Sequence, residues 1–459
     1  AMATSSADVA EDRLPTTLTL STISSFAKPK KLTLIPLIFM IYFEVSGGPY
    51  SEEPTVEAAG PLLAILGFVV FSFVWSIPEA LITSELSTSF PGDGGFVLWA
   101  DRAFGPFFGS LIGTWRFLSG VIGLAAYPAQ CIGYLTNTFT MFSSGLPRIL
   151  GILIFSLVAA FLNFIGLAIV GYASIGLAIV SLLPFIVLSV ASIHRIQPHR
   201  WISLGQKGVR KDWNLFMNTI IWNLNNWDAV STMAGEVENP KQMIPKALFW
   251  TVVFTCLAYV IPLVAVTGAI PLNQSEWQSG FMADAAGIIA GEWLKIWLEI
   301  GSVFSCFGLF EAQLSTCTYQ LVGMTELALL PSSFAVRVRK FNTPWISIAV
   351  STAIAFGVSF LGYTSVISSA NFLYSLSVLL EFASFLWLRH KMPEKVRPYK
   401  VPLRLPGLVL MCLIPAASLI FLMVTSSRIV FLISGVMTAA GIGFFMVMKF
   451  FRSRGWLRF

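Results

Sequence analysis

Six carboxylates stand inside stretches that are otherwise apolar: Glu44, Glu79, Glu85, Asp228, Glu311 and Glu381, with Arg116 as the one base in a comparable setting. Acids in lipid-depth sequence are costly to bury and by default mark a binding or proton-handling site. Their excess over bases points to a cationic ligand. An ammonium has three donors and no acceptor, so its complement is carboxylates, carbonyl oxygens and aromatic ring faces. Two carboxylates set apart across a cavity suit an extended molecule with an amine at each end better than a monoamine. Covalent chemistry has no comparable footing. The chain lacks HExxH and GxSxG, and its five cysteines (Cys131, Cys256, Cys306, Cys317, Cys412) lie in apolar runs, are odd in number and form no CxxC. With three histidines in loops, no enzyme, metal site or cofactor is expected.

The acids keep company with two interruptions. At 43–50 the sequence FEVSGGPY places Ser46, Gly47 and Gly48 after Glu44; two glycines release the backbone and Pro49 can open a new half-helix. At 222–228 the sequence is Trp222, Asn223, Leu224, Asn225, Asn226, Trp227, Asp228, which lipid would not tolerate. Both stretches are expected to unwind at mid-depth. Half-helices ending near Val45 and near Trp222 or Asn223 aim free carbonyls and the negative ends of their dipoles at the space between.

Substrate contacts are thus expected from Glu44, Ser46, Gly47, Gly48, Trp222, Asn225, Trp227, Asp228 and Glu311. Asp228 either anchors an ammonium or caps the half-helix that follows it. Trp222 and Trp227 either offer ring faces to a cation, worth up to about 2 kcal/mol when desolvated, or serve ordinary packing. Glu311 lies among Phe307, Gly308, Leu309, Phe310 and Ala312 with no base within a helical turn or two, and is expected to take substrate or a proton. Arg116 is expected to pair with Glu79. Glu79, Glu85, Arg116 and Tyr319 are the candidates for proton coupling or gating, and Glu381 is expected near the inner surface, snorkelling or pairing with Arg389.

What must position these residues is a membrane bundle. Of 459 residues, 56% are hydrophobic and 11% charged, with a mean hydropathy of +0.78; no soluble domain of this length has that composition. Hydrocarbon about 30 Å thick takes roughly 20 apolar residues per helix. Reading apolar runs against Gly, Pro and charge predicts twelve spans, near 32–57, 61–89, 105–139, 148–170, 172–193, 214–235, 246–270, 293–324, 344–362, 365–389, 406–425 and 428–450. The interrupted runs are the first and the sixth, matched positions in two five-helix halves, 32–194 and 214–390, with a final pair at 406–450. Matched interruptions point to an inverted-repeat transporter whose site lies at the breaks.

Residues 1–31 are expected to form a disordered cytosolic tail and 451–459 a short cytosolic one. Most of the 29 Lys and Arg fall on the side of the termini, which the positive-inside rule assigns to the cytosol, although the basic loop after the fifth span runs against the trend. A sequon at Asn273 falls on the other side. The net charge of +6 therefore reports topology; membrane lipid is the expected surrounding, with no nucleic acid and no obligate protein partner.

Four segments, FEVSGGPY at 43–50, IPEALITSELSTSFPGDGG at 77–95, NNWDAVSTMAGEVENP at 225–240 and TELALLP at 325–331, together resemble the amino acid, polyamine and organocation (APC) superfamily. Within its L-type amino acid transporter-like branch, the chain is similar to the plant polyamine uptake transporters, from about 32 to about 449. That resemblance implies an all-α integral membrane protein of LeuT-like fold, ten core helices plus two, and alternating access. It implies uptake of putrescine, spermidine or spermine, with the dication paraquat as a further cargo, driven by protons. The plasma membrane is the expected location, the Golgi or ER the alternative. The chain departs from amino acid carriers of the superfamily at Pro49, which lacks an N–H that could hold a carboxylate. A carrier of cationic or large neutral amino acids and a non-transporting nutrient sensor or scaffold are the alternatives.

Overall fold

Long apolar runs become unbroken helices, and the two polar interruptions do not. In the computed structural model, which describes residues 31–459 apart from 139, 361 and 362 and leaves the side chains of 137, 138 and 363–367 undescribed, span 1 is Leu34–Val45 followed by Glu53–Ala59. Span 2 is Pro61–Ser89, span 3 Pro106–Thr138, span 4 Gly145–Ile165, span 5 Leu167–Ser192 and span 6 Trp213–Asn223 followed by a 3-10 stretch, Ala229–Glu236. Spans 7 to 12 are Pro240–Ala269, Glu292–Glu326, Trp345–Val358, Tyr363–Lys391, Leu405–Val424 and Arg428–Arg454. Among the described residues nine helices are long and apolar enough to cross a membrane; the two interrupted spans and the 14-residue span 9 complete the expected twelve. The tail expected at 1–31 lies, but for Lys31, outside the described residues. At the other end span 12 runs on to Arg454, past its expected limit, and the main chain of Arg458 accepts a hydrogen bond from Ser332 at 2.8 Å.

Burial sorts the spans by task. Spans 10 and 3 bury 67% and 61% of their apolar windows inside the protein, spans 4 and 11 only 28%, and span 12 only 17%. The outer spans turn Ile154, Phe161, Leu410 and Leu432 outward, as helices facing lipid must. Spans 1, 3, 6, 8 and 10 supply the centre.

In span 1 the helix stops at Val45, and Gly47 and Gly48 take φ of +66° and +108°. A Cβ at Gly47 would meet the Leu309 side chain at 2.6 Å, so glycine is required there for space as well as for backbone angle. The unwound carbonyls are not left bare: Tyr259 Oη donates to Ser46 O at 3.1 Å, and Ser305 donates to Gly47 O. The second half-helix begins at Glu53, with Pro54 in its first turn. Pro49 therefore does not open it; it lies inside the unwound stretch.

In span 6 asparagines perform the same task. The helix ends at Asn223, and Asn226 adopts φ +64°, a left-handed state that Asn tolerates. The Leu224 carbonyl accepts from Trp75 Nε1 at 2.9 Å and Trp227 Nε1 at 2.8 Å, while the Asn226 N–H donates to Tyr374 Oη at 3.1 Å. Asn223 Nδ2 donates to Ser51 O at 3.0 Å, tying the two breaks together. Trp75 reaches its carbonyl from a π-helical turn, Ser72–Ser76, within span 2; such a turn resets the face a helix presents and is frequent at functional sites.

Candidate functional site

A small cavity of about 40 Å³ sits between the two breaks. Span 1 contributes Glu44, Val45, Ser46 and Ser51; span 6 contributes Trp222, Asn223, Asn225, Asn226 and Ala229. The opposite wall is Arg116, Ser119 and Gln130 of span 3, Gln313, Thr316 and Gln320 of span 8, and Asn371 of span 10. That volume suits about one or two waters, so an elongated ligand needs the walls to part. Gln313 and Gln320, which with Thr316 are spaced i, i+3, i+7 on span 8, are not among the residues expected from the sequence. Their spacing is the signal that finds them, since it is one helix face.

Glu44 is 3% exposed and neither of its carboxylate oxygens has a hydrogen-bond partner, although Thr316 faces it. Around it the backbone donors are already used: Ser46 N and Gly47 N both reach Tyr42 O, at 2.8 and 3.3 Å, and Gly48 N reaches Ser46 Oγ at 3.1 Å. The cavity thus presents an unpaired acid and the aromatic residues Phe96, Tyr127 and Trp222, with few free donors on its span 1 side.

The structure separates the other expected residues from this space. Trp227 is fully buried and absent from the cavity wall; its indole is spent on the Leu224 carbonyl. Gly47 and Gly48 shape the break without lining the cavity. Asp228 sits at the start of the 3-10 stretch without a side-chain cap, and forms an ion pair with Arg116. The expected Glu79–Arg116 pair is therefore corrected. Arg116 swings to Asp228 and also donates to Asn226 Oδ1 at 3.3 Å, with Phe96 and Tyr374 rings against its guanidinium at 4.8 and 4.6 Å. Glu79 instead accepts from Tyr374 Oη at 2.6 Å. Glu311, 0% exposed, lies behind the wall, accepting from Asn163 Nδ2 of span 4 at 2.7 Å.

Glu381 is also corrected: it is 1% exposed and faces Asp228, Glu79 and Arg116 rather than the surface. Its expected partner, Arg389, pairs with Glu85, which also holds Arg397 Nε at 3.0 Å and Val401 N at 2.8 Å.

The two ends of the cavity differ. Toward the face where span 1 begins, the path is shut. Leu32 N donates to Glu236 O and Glu238 N to Leu32 O, both at 2.9 Å, making an isolated parallel bridge between Leu32 and Val237. Arg337 pairs with Glu236 at 2.6 Å and lies over the Tyr319 ring at 5.7 Å. Asp93 accepts from Gly235 N at 2.6 Å, and burial pushes its carboxyl up to about 6. Toward the other face a vestibule of about 1020 Å³ opens, lined by Tyr50, Glu53, Gln130, Tyr134, Glu276, Asp284, Glu292, Lys295 and Glu299 among others. Gln130 borders both spaces, so only a thin partition separates the cavity from the vestibule. The sequon loop lies on the vestibule side, where Asn273 Nδ2 bonds Glu276 at 2.6 Å.

Residues 32–448 match the family model described as amino acid permease. The chain is 42% identical over 430 residues to the polyamine transporter RMV1 of Arabidopsis thaliana, covering 94% of this chain and 88% of that one. It is 42% identical over 430 residues to the polyamine transporter PUT1 of Oryza sativa subsp. japonica, at 94% and 80% coverage. A probable polyamine transporter of Arabidopsis thaliana is 43% identical over 439 residues, at 95% and 91%. Interrupted first and sixth spans around a closed polar cavity, and a match from one end of the bundle to the other, lead to one conclusion: the chain belongs to the amino acid permease family of the APC superfamily, membrane transporters of LeuT-like fold.

Proposed function

We propose that the protein imports polyamines, such as putrescine, spermidine and spermine, by alternating access coupled to protons. The observation that carries this reading is Glu44: a carboxylate buried without a hydrogen-bond partner, in a cavity bounded by the ends of two half-helices. A buried unpaired acid is costly, and an arriving ammonium relieves that cost. Substrate contacts are assigned to Glu44, Ser46, Trp222 and Asn225, with Gln313, Gln320 and Asn371 as further acceptors; Glu85 and Tyr319 belong to the closure of the shut face. The acidic residues of the vestibule favour accumulation of a polycation before it binds.

The shut face is assigned to the cytosol of a plasma-membrane protein, following the basic residues. Entry of a dication into a negative interior then gains about 2.3 kcal/mol per charge for each 100 mV. The rival reading, an amino acid carrier, needs free amides at the first break; those of Ser46, Gly47 and Gly48 are engaged and Pro49 has none. Uptake of labelled spermidine and putrescine into proteoliposomes under imposed pH and voltage gradients tests the proposal, with free lysine and leucine as competitors. Saturable diamine uptake that neither amino acid inhibits is expected. Binding without concentrative flux would instead favour a sensor.

A further inference from the structure

Asp228, Glu381, Glu79 and Arg116 meet at the crossing of spans 6, 10, 2 and 3, none more than 6% exposed. The other titratable groups facing them are Tyr374 on span 10, Cys412 on span 11, Cys317 on span 8 and, across the break, Glu44. Fully ionised, three carboxylates would confront one guanidinium. Burying two uncompensated negative charges in the low-dielectric centre of a membrane protein costs several kcal/mol for each.

Counting donors localises the deficit. Arg116 serves one oxygen of Asp228, and Tyr374 serves one oxygen of Glu79. Asp228 Oδ2, Glu79 Oε2 and both oxygens of Glu381 have no donor. Yet the Glu381 carboxyl lies within hydrogen-bonding reach of Asp228. Two ionised carboxylates repel at that range; a contact of this kind is held by a proton shared between them.

We propose that the Asp228–Glu381 pair binds the proton that is coupled to transport. This rests on the proton-coupled reading above and names its site. Asp228 is the residue immediately before the 3-10 stretch Ala229–Glu236, whereas Glu381 belongs to the uninterrupted span 10. Movement of that stretch, whose far end carries the Glu236–Arg337 closure, pulls Asp228 from Glu381, and the proton leaves toward the side that has opened. Arg116 stays paired with Asp228.

Two measurements on the full chain test this. In infrared spectra of the purified protein without substrate, wild type shows a protonated-carboxyl band that Glu381→Gln lacks and Glu311→Gln retains; a band undiminished in both Glu381→Gln and Asp228→Asn overturns the proposal. In proteoliposomes at clamped voltage, a tenfold proton gradient raises wild-type spermidine accumulation about tenfold for one coupled proton, whereas Glu381→Gln accumulates equally with and without it. A full response in Glu381→Gln overturns the proposal, and Glu381→Asp, which restores a carboxyl, recovers part of the response if the fold is intact. Should wild type carry no spermidine, the polyamine reading fails while the infrared band still decides the proton site.

Discussion

The two breaks solve one problem with different residues and leave their acids in opposite conditions. At the first, glycines supply the backbone freedom, the unwound carbonyls are held by Tyr259 and Ser305, and Glu44 is left unpaired. At the second, asparagines supply it, two indoles hold the Leu224 carbonyl, and Asp228 is bound by Arg116. An acid beside a break is therefore not by itself a ligand site. What distinguishes the two is whether the protein already provides a cation: the first break is poised for one that must come from outside, the second is built around its own.

The hardest blow to this contrast is Arg116→Met. Stripping that cation from Asp228, Glu79 and Glu381 is expected to cost about 3–5 kcal/mol, read as a large fall in thermal stability in detergent; an unshifted transition would show that the second break does not depend on the pair. Glu44→Gln is next. It removes a charge-assisted contact worth about 1.5–3 kcal/mol, so the apparent affinity for spermidine should fall about 10- to 150-fold while the melting transition holds or rises. Equal affinity in the variant would move the ammonium site elsewhere.

Replacing the two indoles sharpens the comparison further. Trp222→Ala is expected to weaken binding by up to about 2 kcal/mol with little loss of stability, whereas Trp227→Ala acts on stability and not on affinity. The smallest effect lies at the end of the second break. Asp93 binds its proton more tightly in the folded protein, at about 6, than an ordinary aspartate does, so its contribution is full below about pH 4 and is lost as pH rises through 6. Asp93→Asn should then be more stable than wild type by on the order of 1–2 kcal/mol at neutral pH, with the difference closing in acid. A constant offset at all pH values would point to lost packing instead.

The helices and both interruptions are legible because lipid punishes unsatisfied polar sequence so severely that Gly47, Gly48 and Asn223 to Asp228 can hardly lie in unbroken lipid-facing helix. Partner choice is not legible in the same way. Glu79, Asp228 and Glu381 all reach the depth of Arg116, and which one it meets depends on helix rotation, here altered by the π-helical turn Ser72–Ser76 that no spacing announces. The expectation for Glu381 fails for a reason open to arithmetic: ten residues separate it from Lys391 at the end of span 10, and at about 1.5 Å per residue that is half a bilayer, too deep to snorkel. Glu311 shows the converse. Its neighbours in sequence offer no partner, and Asn163 comes from a different span.

The pairing of Leu32 with Val237 has a mechanical meaning. It staples the stretch before span 1 to the stretch after span 6 by two main-chain hydrogen bonds, each with a net worth of about 0.5–1.5 kcal/mol, beside the buried side chains of both residues. Water can replace both hydrogen-bond partners the moment they separate, so the remaining cost of unfastening is the exposure of the Leu32 and Val237 side chains, and their return to the core guides refastening. Such a clasp is weak enough for thermal motion to undo and specific enough to return the bundle to the same seam on every cycle.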